Sequence, residues 1–298
     1  MTLLTRTEGA HAPVPGRPRR GPGLSAVPAF VFMALVAGYM LLPVYWLLVS
    51  ATKSQGDLVS TPGLLLADWH LGENLSALFA QQDGVYARWL LNSLAYAGAG
   101  AAIGTLLAAM AGYALAVYRF KGREAVFSVI LGGVLVPATA LALPLFLLFA
   151  EVDATNTFWS VFLPSVVSPF SVYLARIFAA ASIPEEVIEA ARIDGAGEWT
   201  IFRTIALRMM SPALVTVFLF QFVVIWNNFL LPLIMLQDER LYPVTLGLFT
   251  WQSQTSRVPE LQTLTLVGAL VSVVPIVLTF LLLQRYWRAG LAAGAVKS

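Results

Sequence analysis

The chain has 298 residues, 58% of them hydrophobic and only 11% charged, with a net charge of +2 and a mean hydropathy of +0.78. A soluble domain carries about 25% charged residues and turns much of its surface to water, so this composition weighs against a soluble enzyme and, more firmly, against a disordered chain. The absence of cysteine removes disulfides, thiolate metal sites and a cysteine nucleophile, and His11 and His70 are too few for an all-histidine zinc or haem cage.

In chain order, residues 1–23 are rich in Pro, Gly and Arg and read as a disordered tail carrying Arg6, Arg17, Arg19 and Arg20. An uncharged run follows, predicting a first membrane helix over 24–50. Its apolar heart is longer than the roughly 7–15 residues of a signal-peptide core, so the helix is retained. A polar stretch over 51–87 reads as a loop. Further uncharged runs predict spans at about 89–118, 125–150, 156–177, 209–236 and 261–284, each long enough for a bilayer core of roughly 20 helical residues. A loop over 181–208 and a tail over 287–298 complete the chain. The runs are continuous rather than alternating, which excludes a membrane β-barrel. The fold class is therefore an all-α integral membrane protein with six transmembrane helices.

With the N-terminus placed inside, 14 of the 18 Lys and Arg residues fall on inner segments and four (Lys53, Arg88, Arg240, Arg257) on outer ones. This bias puts both termini in the cytoplasm. The basic residues are orientation signals and need no nucleic-acid partner. The six uncharged runs, of which the fourth is 154–175, hold no Asp, Glu, Lys, Arg or His, although carriers driven by protons or voltage ordinarily place such groups in the membrane. Whatever drives this protein acts from outside the lipid, although some uniporters and pores share the same absence. Small residues spaced by four, such as Gly100 and Gly104, suit close helix packing. Prolines 43, 137, 144, 164, 169, 212, 232 and 275 lie in the spans and can kink them.

The inner loop reads Ser182-Ile183-Pro184-Glu185-Glu186-Val187-Ile188-Glu189-Ala190-Ala191-Arg192-Ile193-Asp194-Gly195-Ala196-Gly197-Glu198. Ser182 and Glu185 fit a capping box, Pro184 suits a first helical turn, and Glu185, Glu186 and Glu189 complement the positive end of a helix dipole. Gly195 fits a left-handed stop. The pattern predicts a short helix at about 183–194, with Val187, Ala190, Ala191 and Asp194 on one small-residue face. Such a helix either packs only on its own bundle or docks in another protein's groove.

Glu189-Ala190-Ala191 followed by Asp194-Gly195-Ala196, with Phe202, Ile205, Leu207 and Pro212 beyond, resembles the EAA loop of ABC importer permeases. Asn92-Ser93-Leu94, 111–116 with Arg119-Phe120 and Gly122-Arg123, Pro144-Leu145-Phe146, Asn156-Thr157, 226–233, Gln284-Arg285-Tyr286 and 290–297 are similar to the carbohydrate-uptake branch, in particular the smaller membrane subunit of maltose-type permeases. Two departures stand out: Arg208 replaces a usual proline, which questions the bend into the fifth span, and Asn228 replaces a common acidic residue. The region 255–260 matches poorly.

The resemblance implies a type I ABC importer core, with an ABC type-1 transmembrane domain over 88–286. It implies a heterodimer with a second permease subunit, two ATP-binding subunits, an extracytoplasmic solute-binding protein and a sugar substrate, in a bacterial cytoplasmic membrane among its lipids. The chain itself would bind no cofactor and catalyse nothing; ATP and Mg belong to the partner ATPase. In agreement, neither Lys53, Lys121 nor Lys297 lies in a phosphate-binding loop motif. Glu185, Glu189, Ala190, Ala191, Asp194, Gly195 and Ala196 would couple to that ATPase. For the substrate, Trp226, Asn227 and Asn228, and Tyr242, Trp251 and Gln252, offer amides beside rings. Helix–helix hydrogen bonds and an interfacial aromatic belt explain the same residues. Import of another organic solute such as a glycerol phosphoester, a passive channel or uniporter, and a membrane-embedded enzyme are the alternatives. The loop motif speaks against the channel and the lack of buried His, Cys and carboxylates against the enzyme.

Overall fold

A computed structural model describes residues 27–295, with side chains through 286. The predicted N-terminal tail lies outside the described residues, as do the side chains of the C-terminal tail. The described residues divide into two units, one ending at Trp46 and the other beginning at Leu47. Every regular element among the described residues is helical.

The first helix, α1 (Val27–Ala51), crosses the unit boundary, and its residues through Trp46 are exposed apolar types with no inward stripe. Such a uniformly apolar surface suits lipid rather than water. The expected outer loop over 51–87 is itself helical in two places, α2 (Gln55–Ser60) and α3 (Leu71–Ala80). Ser54 caps α2 by accepting from the Asp57 N–H (3.2 Å), and its hydroxyl donates to the Asp57 carboxylate (2.6 Å), which holds that carboxyl below its ordinary range. Lys53, only 1% exposed, donates its ammonium to the Pro62 carbonyl (2.8 Å).

The second span comprises α4 (Val85–Leu94), a π turn at Ala95–Ala99 and α5 (Gly100–Val117). The third run is not a straight span. Helices α6 (Arg123–Val134) and α7 (Ala138–Glu151) meet at 99°, because Pro137 lacks an N–H and sits extended as the N-cap of α7. The fourth span is divided into α8 (Phe158–Val166) and α9 (Pro169–Ser182), each capped by a hydroxyl, Thr157 and Ser168. Helix α10 (Glu185–Ile193) lies in the following loop.

A continuous helix then runs through α11 (Glu198–Ile201), a π turn at Phe202–Ala206 and α12 (Leu207–Trp226). Arg208 lies within it, in the first turn of α12. The fifth span was expected to reach 236. It stops at Trp226, and α13 (Leu230–Met235) and α14 (Val244–Gln254) follow as separate short helices. Last, α15 (Glu260–Ala295) continues past the expected boundary at 286. Among the described residues, five helices, or six counting the bent α6–α7 pair, are long and apolar enough to cross a membrane.

Helix α5 is the spine of the bundle, packing on both α9 and α12. The approach is close at Gly112, where an added Cβ would lie 2.6 Å from backbone atoms of Ala175 and Arg176. The spacing of small residues is thus spent on helix packing. Two apolar clusters result. One surrounds Trp89, Tyr86, Trp226 and Trp251; the other surrounds Tyr113, Ile188, Ile201, Phe202 and Met210 beneath α10.

Candidate functional site

The loop helix is built differently at its two ends from the sequence expectation. Ser182 is the last residue of α9, so no capping box with Glu185 forms. Ile183 and Pro184 are extended, Pro184 is the N-cap, and no side chain caps α10. Glu185 and Glu186 in the first turn and Arg192 in the last complement the dipole instead. At the other end the left-handed stop is present. Gly195 has φ +82°, its N–H donates to the Arg192 carbonyl, and the Ala196 N–H reaches back to the Ala191 carbonyl (both 3.0 Å). That pair of bonds is a Schellman motif. An added Cβ at Gly195 would meet nothing within 4 Å, so the glycine is required for its backbone conformation and not for space.

The face expected to dock is rotated. Ala191 is buried with Ile188 and Val187 is half-buried, while Ala190 and Asp194 are exposed. Ile188, 1% exposed, enters the cluster that holds Tyr113, while Val187 stays half-buried. Fully burying such a side chain is worth roughly 1.5–3 kcal/mol. The outward stripe is therefore Glu186, Glu189, Ala190 and Ile193, at helical spacing. Ile193 is 86% exposed and Trp199 nearby is 61% exposed. Two large apolar side chains thus stand in the open beside carboxylates.

Charge pairs flank this helix. Arg119 forks onto Glu185 (2.8 and 3.0 Å), tying the loop after α5 to the start of α10. Arg192 forks onto Glu198 (2.7 and 3.3 Å), which also accepts from the Tyr118 hydroxyl (2.8 Å). Arg176 bonds Glu124 (2.7 Å) and stacks over Phe127 at 3.7 Å. The exposed Arg119–Glu185 and Arg192–Glu198 pairs contribute about 0–1 kcal/mol each, so they orient the loop while the apolar cluster holds it.

The opposite end of the bundle carries a second organised region, a rim. Side chains of α4 and the π turn grip one short backbone segment. Trp89 donates to the Glu239 carbonyl (2.8 Å), Asn92 to those of Arg240 and Tyr242 (2.8 and 3.0 Å), and Tyr96 to that of Leu241 (3.2 Å). The Ser93 hydroxyl accepts from the Val244 N–H (2.8 Å). From the other side, Asn156 Oδ1 accepts from the N–H groups of Gln237 and Asp238 (2.8 and 2.9 Å). The side chains of Gln237, Asp238, Glu239 and Arg240 point outward. With Gln82, Asp83 and Arg88 they line a cavity of about 760 Å³. Gln82 and Asp83 both have positive φ (48° and 56°), an unfavourable conformation for non-glycine residues.

The expected substrate residues do not share a polar face. Trp226 is 2% exposed and stacks on Phe222 at 5.6 Å, so it belongs to the core. Asn227 is exposed and its amide donates to the Val223 carbonyl (2.8 Å), covering the end of α12. Asn228 is half-buried, with its backbone carbonyl accepting from Thr245 (3.0 Å). Trp251 is also core, packed on Trp89 at 4.7 Å and donating to Gln82 (3.2 Å), while Tyr242 is half-buried and Gln252 exposed. Sequence reasoning missed the grip of Trp89, Asn92, Ser93 and Tyr96. Its only trace was the Asn92-Ser93 pair at a span's start. Among the described residues, no group of three or more His, Asp or Glu is placed to hold a metal ion.

Residues 100–291 match the family described as binding-protein-dependent transport system inner membrane component. The arabinooligosaccharides transport system permease protein of Halalkalibacterium halodurans is 34% identical over 270 residues, covering 90% of this chain and 94% of that protein. The lactose transport system permease protein of Rhizobium radiobacter is 32% identical (89% and 94% covered). The diacetylchitobiose uptake system permease protein of Streptomyces coelicolor is also 32% identical (87% and 84%). Among solved structures, a bacterial ABC transporter involved in import of the acidic polysaccharide alginate superposes with a TM-score of 0.77 at 18% identity, covering 92% of this chain and 100% of that one.

Proposed function

We propose, starting from the fact that the chain belongs to the binding-protein-dependent transport system inner membrane component family, that it is one of two permease subunits in an ATP-driven importer for a sugar or oligosaccharide. It lines half of the pathway and is not itself an enzyme. Relatives named for arabinooligosaccharides, lactose and diacetylchitobiose support the substrate class. The excess of Lys and Arg on one side supports cytoplasmic termini and, with them, a cytoplasmic α10 and an outer rim.

The observation that carries the mechanism is the exposed stripe of α10. Glu189 and Glu186 offer carboxylates, Ala190 leaves room for a close approach, and Ile193 supplies an apolar knob. This face suits a cleft on a partner ATPase, which binds the ATP and Mg. Because α10 is joined through two short connections to α9 and α12, closure of the ATPase moves the bundle as a body. No ionisable group is then needed within the spans. At the rim, the polar cavity suits an extracytoplasmic solute-binding protein delivering its cargo.

The test is reconstitution of the chain with its partner permease and ATPase subunits in liposomes. Wild type should co-purify with the ATPase and hydrolyse ATP faster when loaded binding protein is present. Glu189→Lys should insert and assemble with the second permease normally but lose the stimulation. Wild-type uptake by Glu189→Lys would remove α10 from this role.

A further inference from the structure

Among the apolar side chains where α5, α8, α9 and α12 meet, one long uncharged polar side chain is buried. Gln221 on α12 is 4% exposed. Its amide Nε2 donates to the Val166 carbonyl (2.9 Å), and its Oε1 accepts from the Ser171 hydroxyl (3.2 Å). Val166 is the last residue of α8, and the fourth span breaks immediately after it. Pro169 has no N–H, and Ser168 is extended at φ −135°, ψ 102°, so that carbonyl has lost its helical donors. Gln221 supplies a donor from a neighbouring helix, and Ser171 lies on the far side of the break.

The third wall of this junction is α5. An added Cβ at Gly104 would lie 1.9 Å from Gln221 Nε2 and 2.5 Å from the Val166 oxygen. The glycine is therefore required here for space: it admits the amide between α5 and the broken span. Helices α9 and α12 are the two that flank the α10 loop. From Ser171 to the end of α9 is about 16 Å at the rise of a helix, so the junction stands well above the loop.

We propose that Gln221 is a positioning residue for transport. It fastens α9 and α12 to one another and to the end of α8, so that motion entering at α10 reaches the outer half of the fourth span instead of dissipating at the break. A polar group this deep in the bundle is costly unless bonded, and in the membrane such bonds act between helices. This proposal rests on the importer reading, since it concerns how loop motion is passed upward.

The experiment measures molecules imported per ATP hydrolysed in proteoliposomes for wild type, Gln221→Met, Gly104→Ala and Ser171→Ala. Detergent-solubilised thermal stability and recovery of the assembled complex are measured alongside. Gln221→Met keeps the length and removes both bonds; Gly104→Ala pushes the amide off the Val166 carbonyl by overpacking, at a cost the stability measurement reads, because its Cβ also meets that backbone oxygen. Both should assemble, keep ATP hydrolysis, and lower the transport-to-hydrolysis ratio about fivefold or more, the low end of ordinary coupling energies. Ser171→Ala, which removes one bond, should give a smaller loss in the same ratio, and it decides the matter should the other two fail to assemble. An unchanged ratio in every variant that assembles overturns the proposal, as does a fall in uptake that merely tracks the amount of complex. If wild type itself shows no substrate-stimulated hydrolysis, the importer reading fails rather than the role of Gln221.

Discussion

Replacing Gly195 tests the loop helix through backbone conformation alone. The position has φ +82° with no atom within 4 Å of an added Cβ, so Gly195→Ala introduces no clash. What it introduces is the left-handed penalty for an L-residue, roughly 1–2 kcal/mol. If the turn relaxes to avoid that cost, the two Schellman bonds from Gly195 and Ala196 are lost and the last turn of α10, with Ile193, is released. A cost of that size lowers the population of the ordered loop relative to relaxed forms by a factor of about 5–30. Under the proposed docking, affinity for the partner ATPase should fall by up to that factor, because binding must restore the ordered form. Asparagine tolerates left-handed backbone better than alanine, so Gly195→Asn should retain more of the affinity. Titration of labelled ATPase subunit onto the reconstituted permease reads all three proteins, and circular dichroism checks that the spans are intact. Equal affinities for wild type, alanine and asparagine variants would refute the argument. So would an alanine variant whose loss is accompanied by unfolding of the bundle.

Gly112→Ala sets a Cβ 2.6 Å from the backbone of α9 and should cost about 1–3 kcal/mol through overpacking, read as lower thermal stability and yield in detergent; an unchanged melting temperature would contradict the α5–α9 geometry. Asn156→Ala removes the acceptor for two N–H groups of the rim and places alanine at φ +55°; hydrogen exchange at residues 237–240 should accelerate markedly, while exchange in α12 stays unchanged. His70 bonds the Glu73 carboxylate at 2.8 Å, and this hydrogen bond raises the imidazole above its ordinary 6.5. The pair's stabilisation is thus complete below about 6.5 and is lost as pH rises through the raised value. An NMR titration of His70 should sit higher in wild type than in Glu73→Gln, and coincident curves would exclude the interaction.

The uncharged runs made the spans legible, because lipid imposes a length and a polarity that a sequence displays directly. Gly195 was legible for a similar reason, since a glycine after an acidic-to-basic helical pattern has few other uses. The breaks were not. Pro43, Pro144, Pro164, Pro212 and Pro275 all lie inside helices, whereas Pro137 and Pro169 stand at helix starts after interruptions. Nothing local distinguishes the two sets. The same holds for Trp226 and Trp251, whose ring chemistry suits a sugar or a core equally until packing decides. Gln221 was hidden because an uncharged amide passes every test for an apolar span. The rotated face of α10 shows only in the packing, where Ile188 and Ala191 are buried and Ala190 and Asp194 are exposed.

The grip on the rim has an evolutionary consequence. Trp89, Asn92, Ser93, Tyr96 and Asn156 hold residues 237–244 only through main-chain carbonyls and N–H groups, which every sequence possesses. The outward side chains of Gln237, Asp238, Glu239 and Arg240 take no part in these bonds except that Asp238 accepts from the Arg240 N–H. Mutation can therefore rewrite the chemical identity of this edge one residue at a time without renegotiating the fold beneath it. A lineage could change what it recognises there while inheriting the same machine.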